Sequence, residues 1–232
     1  MYISKQHKFA YFASPRTASN SAQRFLEEGG IGHETDIIYN LDGIELDKDL
    51  DVPEPNLAAE RYSYNAGKLL NYHMTPTQAI QKGLISLEEL QEFNAFSFVR
   101  DPIERWISSI FVARDMGYWS GDPIEFMSRL CRTNNIESMK LVTDLSWDYK
   151  DYFFHEDQQV VKAYRIENME TVLNTLVNSC GGTPPDLKII NVSPIGTPDE
   201  YKRPVEEWMP WDCIEILRET LFHEFKFYYS VK

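Results

Sequence analysis

The sequence offers little from which to build a disulfide framework or a thiolate metal site. It has three cysteines in 232 residues, Cys131, Cys180 and Cys213. They are widely spaced and match no CxxC or Cys/His ligand pattern, so reduced, partly buried thiols are expected. No stretch approaches the ~20 consecutive apolar residues that a membrane span needs. The opening MYISKQHKFAYFASPR lacks an apolar leader core and a small-residue cleavage site, so neither a secretory signal nor an anchor is expected, and a cytoplasmic location is. Positive charge is also scarce. Lys and Arg number 23 against 36 Asp and Glu, a formal net charge of −13. That balance opposes general binding to nucleic acid or to anionic membranes. A polyanionic ligand would have to be met by basic residues gathered locally against the prevailing field.

What is present suits one domain over residues 1–232. The chain is 43% hydrophobic and 13% aromatic, enough for a proper core and unlike a disordered composition. Residues 8–14, KFAYFAS, read as a buried strand that ends at Pro15. Ala22, Phe25 and Leu26 then take helical spacing, closed by Gly29-Gly30. HETDIIYN supplies a second expected strand, and the acidic, proline-bearing stretch 41–60 a surface loop. Thr75-Pro76 predicts an N-cap followed by proline in the first turn, with Gly83 ending that helix. Ser86 with Glu89 predicts a capping box. Residues 96–99, FSFV, form the next strand. Ile103, Trp106, Ile107, Ile110 and Phe111 follow as an amphipathic stripe. Val160 to Ile166 reads as a strand, Met169 to Val177 as a helix, LKIIN as a last strand, and 211–222 as a helix before an aromatic tail. Strands alternating with helices predict an α/β fold, a central, mainly parallel sheet covered on both faces as a three-layer α/β/α sandwich.

Two segments carry chemistry. Ser14 to Ser21, SPRTASNS, lies between a strand and a helix, where successive backbone N–H groups and the helix dipole attract an anion. Arg16 puts a permanent cation at its mouth, Ala18 lets the backbone approach, and Thr17, Ser19, Asn20 and Ser21 offer donors. The same pattern also fits a plain polar turn. The nucleoside triphosphatase pattern GxxxxGK[ST] is absent, with no lysine before the hydroxyl residue, which weighs against an ordinary kinase. The second segment is FSFVRDPIERWISSIFVAR. Arg100 ends a strand and Ser108 lies eight residues on, a guanidinium and a hydroxyl for a phosphate. Asp101, Pro102 and an Asp101–Arg105 pair at i, i+4 are expected of any well-made helix start.

These segments resemble the superfamily of sulfotransferases dependent on 3′-phosphoadenosine 5′-phosphosulfate (PAPS), most closely its heparan sulfate 2-O-sulfotransferase-like branch. PRTASNS is similar to the 5′-phosphosulfate loop and FVRDPIERWISS to the 3′-phosphate motif. DQQVVKAYRIENME and INVSPIGTPDEYKRP agree more loosely with later family segments. The resemblance implies a P-loop-like fold, PAPS as donor, 3′,5′-adenosine bisphosphate (PAP) as product, no metal, and an acceptor hydroxyl, expected on a carbohydrate or other small molecule. It assigns Arg16, Thr17, Ala18, Ser19, Asn20 and Ser21 to the 5′-phosphosulfate, and Arg100 and Ser108 to the 3′-phosphate. Many members have lysine where this chain has Arg16. Arginine stays protonated, so Arg16 is expected to act as an electrostatic clamp rather than a proton donor. Asn20 replaces a more usual hydroxyl residue.

Sulfuryl transfer needs a group to take the acceptor's proton, and histidine is the natural choice. Of the five histidines, His73 in NYHMTP stands between the two motifs, where the related branch also carries a histidine. His73 is the expected base, with His155 second and a carboxylate as a further option. Arg165 and Glu167 are expected to pair structurally. Lys202 and Arg203 are either a cofactor cover or a solvated pair. Trp119, Trp147, Tyr149 and Tyr152 either stack on an acceptor or anchor loops. Two other readings remain: a nucleotide or small-molecule kinase of related fold, and a catalytically inactive nucleotide-binding relative.

Overall fold

The computed structural model describes residues 1–31, 73–115, 119–133, 149–188, 201 and 203–231. The expected strand in HETDIIYN, the acidic loop at 41–60, all but the first two residues of LKIIN, and His33, Trp147 and Lys202 lie outside them.

The described residues form an α/β fold built on a four-stranded mixed sheet. Its strands are β1 (Tyr2–Ser4), β2 (Phe9–Tyr11), β3 (Asn94–Val99) and, after the small hairpin β4 (Phe154–His155) and β5 (Gln158–Gln159), β6 (Lys162–Arg165). The order across the sheet is β1-β2-β3-β6. β1 runs antiparallel to β2, whereas β2, β3 and β6 are parallel, with Tyr11 opposite Phe96 and Val99 opposite Arg165. The segments that leave β2, β3 and β6 therefore emerge side by side at one edge of the sheet.

Helices α1 (Ser19–Glu28), α2 (Pro76–Gln81), α3 (Leu87–Glu92), α4 (Pro102–Asp115), α5 (Pro123–Arg132), α6 (Met169–Ser179), α7 (Trp211–Thr220) and α8 (Phe222–Ser230) surround it. The two-residue period of a strand sorts the side chains onto two faces. Phe9, Tyr11, Phe96 and Phe98 pack with Phe25 and Leu26 of α1 and with Leu173 and Val177 of α6. Ala10, Phe12, Ala95 and Val99 face the other way, against Ala79 of α2, Leu90 of α3, Tyr149, Tyr152 and Tyr228 of α8. The large aromatics of β2 and β3 thus meet two helices on one face, while Ala10 and Ala95 on the other leave room for bulky tyrosines. A third cluster joins α4, α5 and α7 through Trp106, Ile110, Leu130, Ile214 and Leu217.

Where α1 ends, Gly29 packs so closely on Val177 that an added Cβ would lie 2.9 Å from it. This contact docks α1 on α6 and explains a glycine there without appeal to conformation.

Several expectations are met locally. Thr75 and Ser86 both form complete capping boxes, with Gln78 and Glu89. Others differ. β1 pairs antiparallel to β2 and was not foreseen, because three residues carry no periodicity. The helix expected over 211–222 breaks at Leu221, and the aromatic tail beyond is itself α8. Arg105 does not pair with Asp101. Its guanidinium meets Glu224 at 3.1 Å, and Asp101 instead caps α4 by accepting from the amides of Ile103 and Glu104. Arg165 and Glu167 do not pair with each other either. Arg165 donates to the Val231 carbonyl and lies over the Tyr228 ring, and the Tyr228 hydroxyl reaches Glu167. Trp119, Tyr149 and Tyr152 are buried, so they anchor the interior rather than present a stacking surface.

Candidate functional site

The loop after β2 is held open by its own backbone. Arg16 and Ala18 have φ of 63° and 53°, the left-handed region that costs a residue with a Cβ about 1 kcal/mol or more. The loop is kept there by buried hydroxyls. Ser14 Oγ donates to the Phe98 carbonyl at 2.7 Å, and Thr17 Oγ1 to the Ser14 carbonyl at 2.8 Å. Thr17 is wholly buried, and its hydroxyl is committed within the loop to the Ser14 carbonyl. The helix then begins at Ala18, whose side chain cannot cap. The first intrahelical bond runs from Ala22 N to Ala18 O. The amides of Ser19, Asn20 and Ser21 are thus first-turn donors with no intrahelical acceptor, beside the positive end of the dipole. Arg16, Ala18 and Asn20 are half-buried around this turn, while Ser19 and Ser21 are buried.

The second loop follows β3, the parallel neighbour of β2. Arg100 is the first residue past the strand, and α4 begins two residues later. From Pro102 to Ala113, α4 is buried except at Glu104, which is exposed, and Ser108, which is half-buried. Glu104 and Ser108, four residues apart on α4, share one face. The stripe of α4 left open to solvent is the one that carries Glu104 and Ser108. Arg100 Nε meets Glu104 Oε2 at 3.0 Å, with their side chains 31% and 55% exposed. A pair so exposed is worth about 0–1 kcal/mol, a hold that a dianionic phosphate can displace.

His73 is brought to the root of the first loop. Its Nδ1 lies 2.6 Å from the carbonyl oxygen of Ala13. A carbonyl can only accept, so Nδ1 carries the hydrogen and Nε2 bears the lone pair. Part of the residue remains open to solvent, yet the ring is packed among protein atoms. Burial, helped by the nearby charges of Arg16 and Arg105 and opposed by the Ala13 carbonyl, holds its pKa down to about 3. The ring is neutral throughout the physiological range. His155 lies elsewhere, on the β4–β5 hairpin, with Nδ1 3.1 Å from Thr77 Oγ1 of α2. Arg203 lies on the surface near Glu207.

Two residues join the halves of the site: Arg105, which the sequence did not assign to it, and Tyr149, which the sequence offered only as an acceptor-stacking or loop-anchoring aromatic. The buried Arg105 donates from Nε to the Pro15 carbonyl at 3.1 Å, and its guanidinium sits 4.0 Å above the Tyr149 ring. The Tyr149 hydroxyl accepts from the Arg100 amide at 2.6 Å and donates to the Arg100 carbonyl at 3.1 Å. An arginine one turn into a helix gives no sequence signal of this kind, because its partners lie far along the chain.

The arrangement sets the first-turn amides beside Arg16 and the Arg100 guanidinium at the ends of adjacent parallel strands, with a neutral imidazole at the root of the first loop. No helix among the described residues is long and apolar enough to cross a membrane. No family model matches the chain, and neither a curated protein nor a solved structure shows a significant match to it.

Proposed function

We propose that the chain is a PAPS-dependent sulfotransferase of P-loop-like, three-layer architecture, acting on an acceptor hydroxyl, with a carbohydrate as the expected acceptor class. The observation that carries the reading is the placement of both motifs at the ends of adjacent parallel strands, with His73 hydrogen-bonded at the root of the first loop.

In this reading the first-turn amides from Ala18 on and the Arg16 guanidinium hold the 5′-phosphosulfate, and Arg100 with Ser108 holds the 3′-phosphate after displacing Glu104. The acceptor oxygen attacks sulfur in line, forming a new S–O bond as the bond from sulfur to the bridging oxygen breaks. PAP leaves with the electron pair of that bond, and the acceptor proton passes to His73 Nε2. Arg16 neutralises charge building on the leaving phosphate without giving up a proton. Positioning and charge neutralisation supply most of the acceleration, as in phosphoryl transfer.

Mass action separates the readings, because a ligand that binds only the folded state raises its melting temperature. PAP at 100 times its Kd is expected to stabilise the fold by about 2.7 kcal/mol, and ATP with Mg²⁺ to shift it little. The reverse order would favour the kinase reading. A PAP shift with no turnover of PAPS across an acceptor panel would favour the inactive relative.

A further inference from the structure

We infer that Arg105 and Tyr149 form a positioning strut that sets the two anion loops in register. The inference rests on the sulfotransferase reading for what the loops bind, but the strut itself is read from contacts.

The chain of contacts runs from the main chain just before Arg16, through the Arg105 guanidinium and the Tyr149 ring, to both main-chain polar groups of Arg100. Both ends are backbone. What the strut fixes is therefore the course of each loop, not the rotamer of a ligand-binding side chain. Burial pushes the Tyr149 phenol well above its ordinary range, so the hydroxyl stays neutral and keeps the proton it donates.

The energetics point the same way. Arg105 is 1% exposed and balanced by Glu224 of α8. Buried ion pairs are often no better for stability than apolar residues of similar volume. This one also leaves Arg105 Nη2 buried with no hydrogen-bond partner among the described residues, a further cost. A guanidinium kept at such cost is better explained by what it holds in place. A two-donor cation can bridge the Pro15 carbonyl and a carboxylate while lying flat on an aromatic face, which an apolar side chain cannot do.

The test uses the full chain and two variants. Tyr149→Phe keeps the ring beneath Arg105 but removes both bonds to Arg100. Arg105→Met combined with Glu224→Leu replaces the ion pair with apolar volume. Three quantities are read: melting temperature, amide hydrogen exchange in the ligand-free protein, and the Kd for PAP. Tyr149→Phe is expected to lower protection of the Arg100 amide at least tenfold and to raise the Kd for PAP at least tenfold, with the Phe96 and Phe98 amides as protected as before. The double variant is expected to lower protection across residues 14–21 by a similar factor. If it does not fold, Tyr149→Phe alone decides. Unchanged exchange at Arg100 and in the loop overturns the strut, and so does a lower melting temperature with an unchanged Kd. Failure of the unsubstituted chain to bind PAP defeats the sulfotransferase reading alone, and exchange then still decides the strut.

Discussion

At the scale of single residues, the hydrogen bond of His73 decides what its ring can do. With Nδ1 committed to the Ala13 carbonyl, Nε2 is the basic atom, the tautomer that proton abstraction requires. Its low pKa, set first by burial, makes it a weak base in the free protein; a bound bisphosphate offsets only the smaller part that comes from Arg16 and Arg105. Asparagine places its amide N–H near the position of Nδ1 and has no basic nitrogen. His73→Asn is therefore expected to keep PAP affinity within about twofold while lowering kcat by about 10² to 10⁴, the usual worth of a positioned base. The pH profile gives a second reading. Because kcat/KM reports groups of the free enzyme, a His73 pKa of about 3 leaves no acid limb from this residue between pH 5 and 8. A limb near pH 6.5 that disappears in His73→Asn would show the ring to be far less buried than described.

At the scale of elements, local signals were legible and long-range ones were not. The capping boxes at Thr75 and Ser86 could be read from four residues each, because their partners lie one turn away. α4 could be read as a helix but not as an embedded one, because the burial of Arg105 depends on Glu224 of α8 and on the first loop. The Arg105–Glu224 pair spans 119 residues, so the nearer Asp101 was the only partner the sequence could suggest. The split between α7 and α8 was invisible for a related reason, since Leu221 is packed into the core at the break. Local capping also bears on the site. α2 has six residues and begins three residues after His73, so its first turn determines where the chain goes once it has placed the imidazole. Thr75→Ala removes the side-chain acceptor for the Gln78 amide. It is expected to cost about 1 kcal/mol, which lowers the melting temperature by about 2–4 °C in a domain of this size. A loss below 1 °C in a thermal melt would mean that α2 is held by packing alone.

At the scale of the whole molecule, a chain of net charge −13 gathers Arg16, Arg100, Arg105 and Arg165 at or beside one edge of its sheet. The parallel pairing of β2, β3 and β6 brings together residues spread along the sequence. Alternation of strands and helices made that edge foreseeable, while the side-chain ties across it needed the fold. Burial of the His73 ring, helped by the charges of Arg16 and Arg105, makes stability depend on pH. The ring's ordinary pKa is 6.5 and its folded value about 3. Between these values the unfolded chain binds a proton that the folded chain refuses, so stability rises with pH across the window and is lost as pH falls below about 6.5. Above 6.5 the ring is neutral in both states and contributes no slope. One proton gives a limiting slope of about 1.4 kcal/mol per pH unit. Carboxylates add their own dependence, but His73→Asn leaves them in place, so the difference between the two proteins isolates the histidine. Urea unfolding at intervals from pH 7.5 to 4.5 is expected to give parallel stabilities above pH 7 and, below 6.5, a wild type that loses stability faster than His73→Asn by a slope approaching that limit. Curves that stay parallel down to pH 4.5 would mean that His73 takes up its proton in the folded state as readily as in the unfolded one, and the neutral base proposed for catalysis would then lack its buried setting.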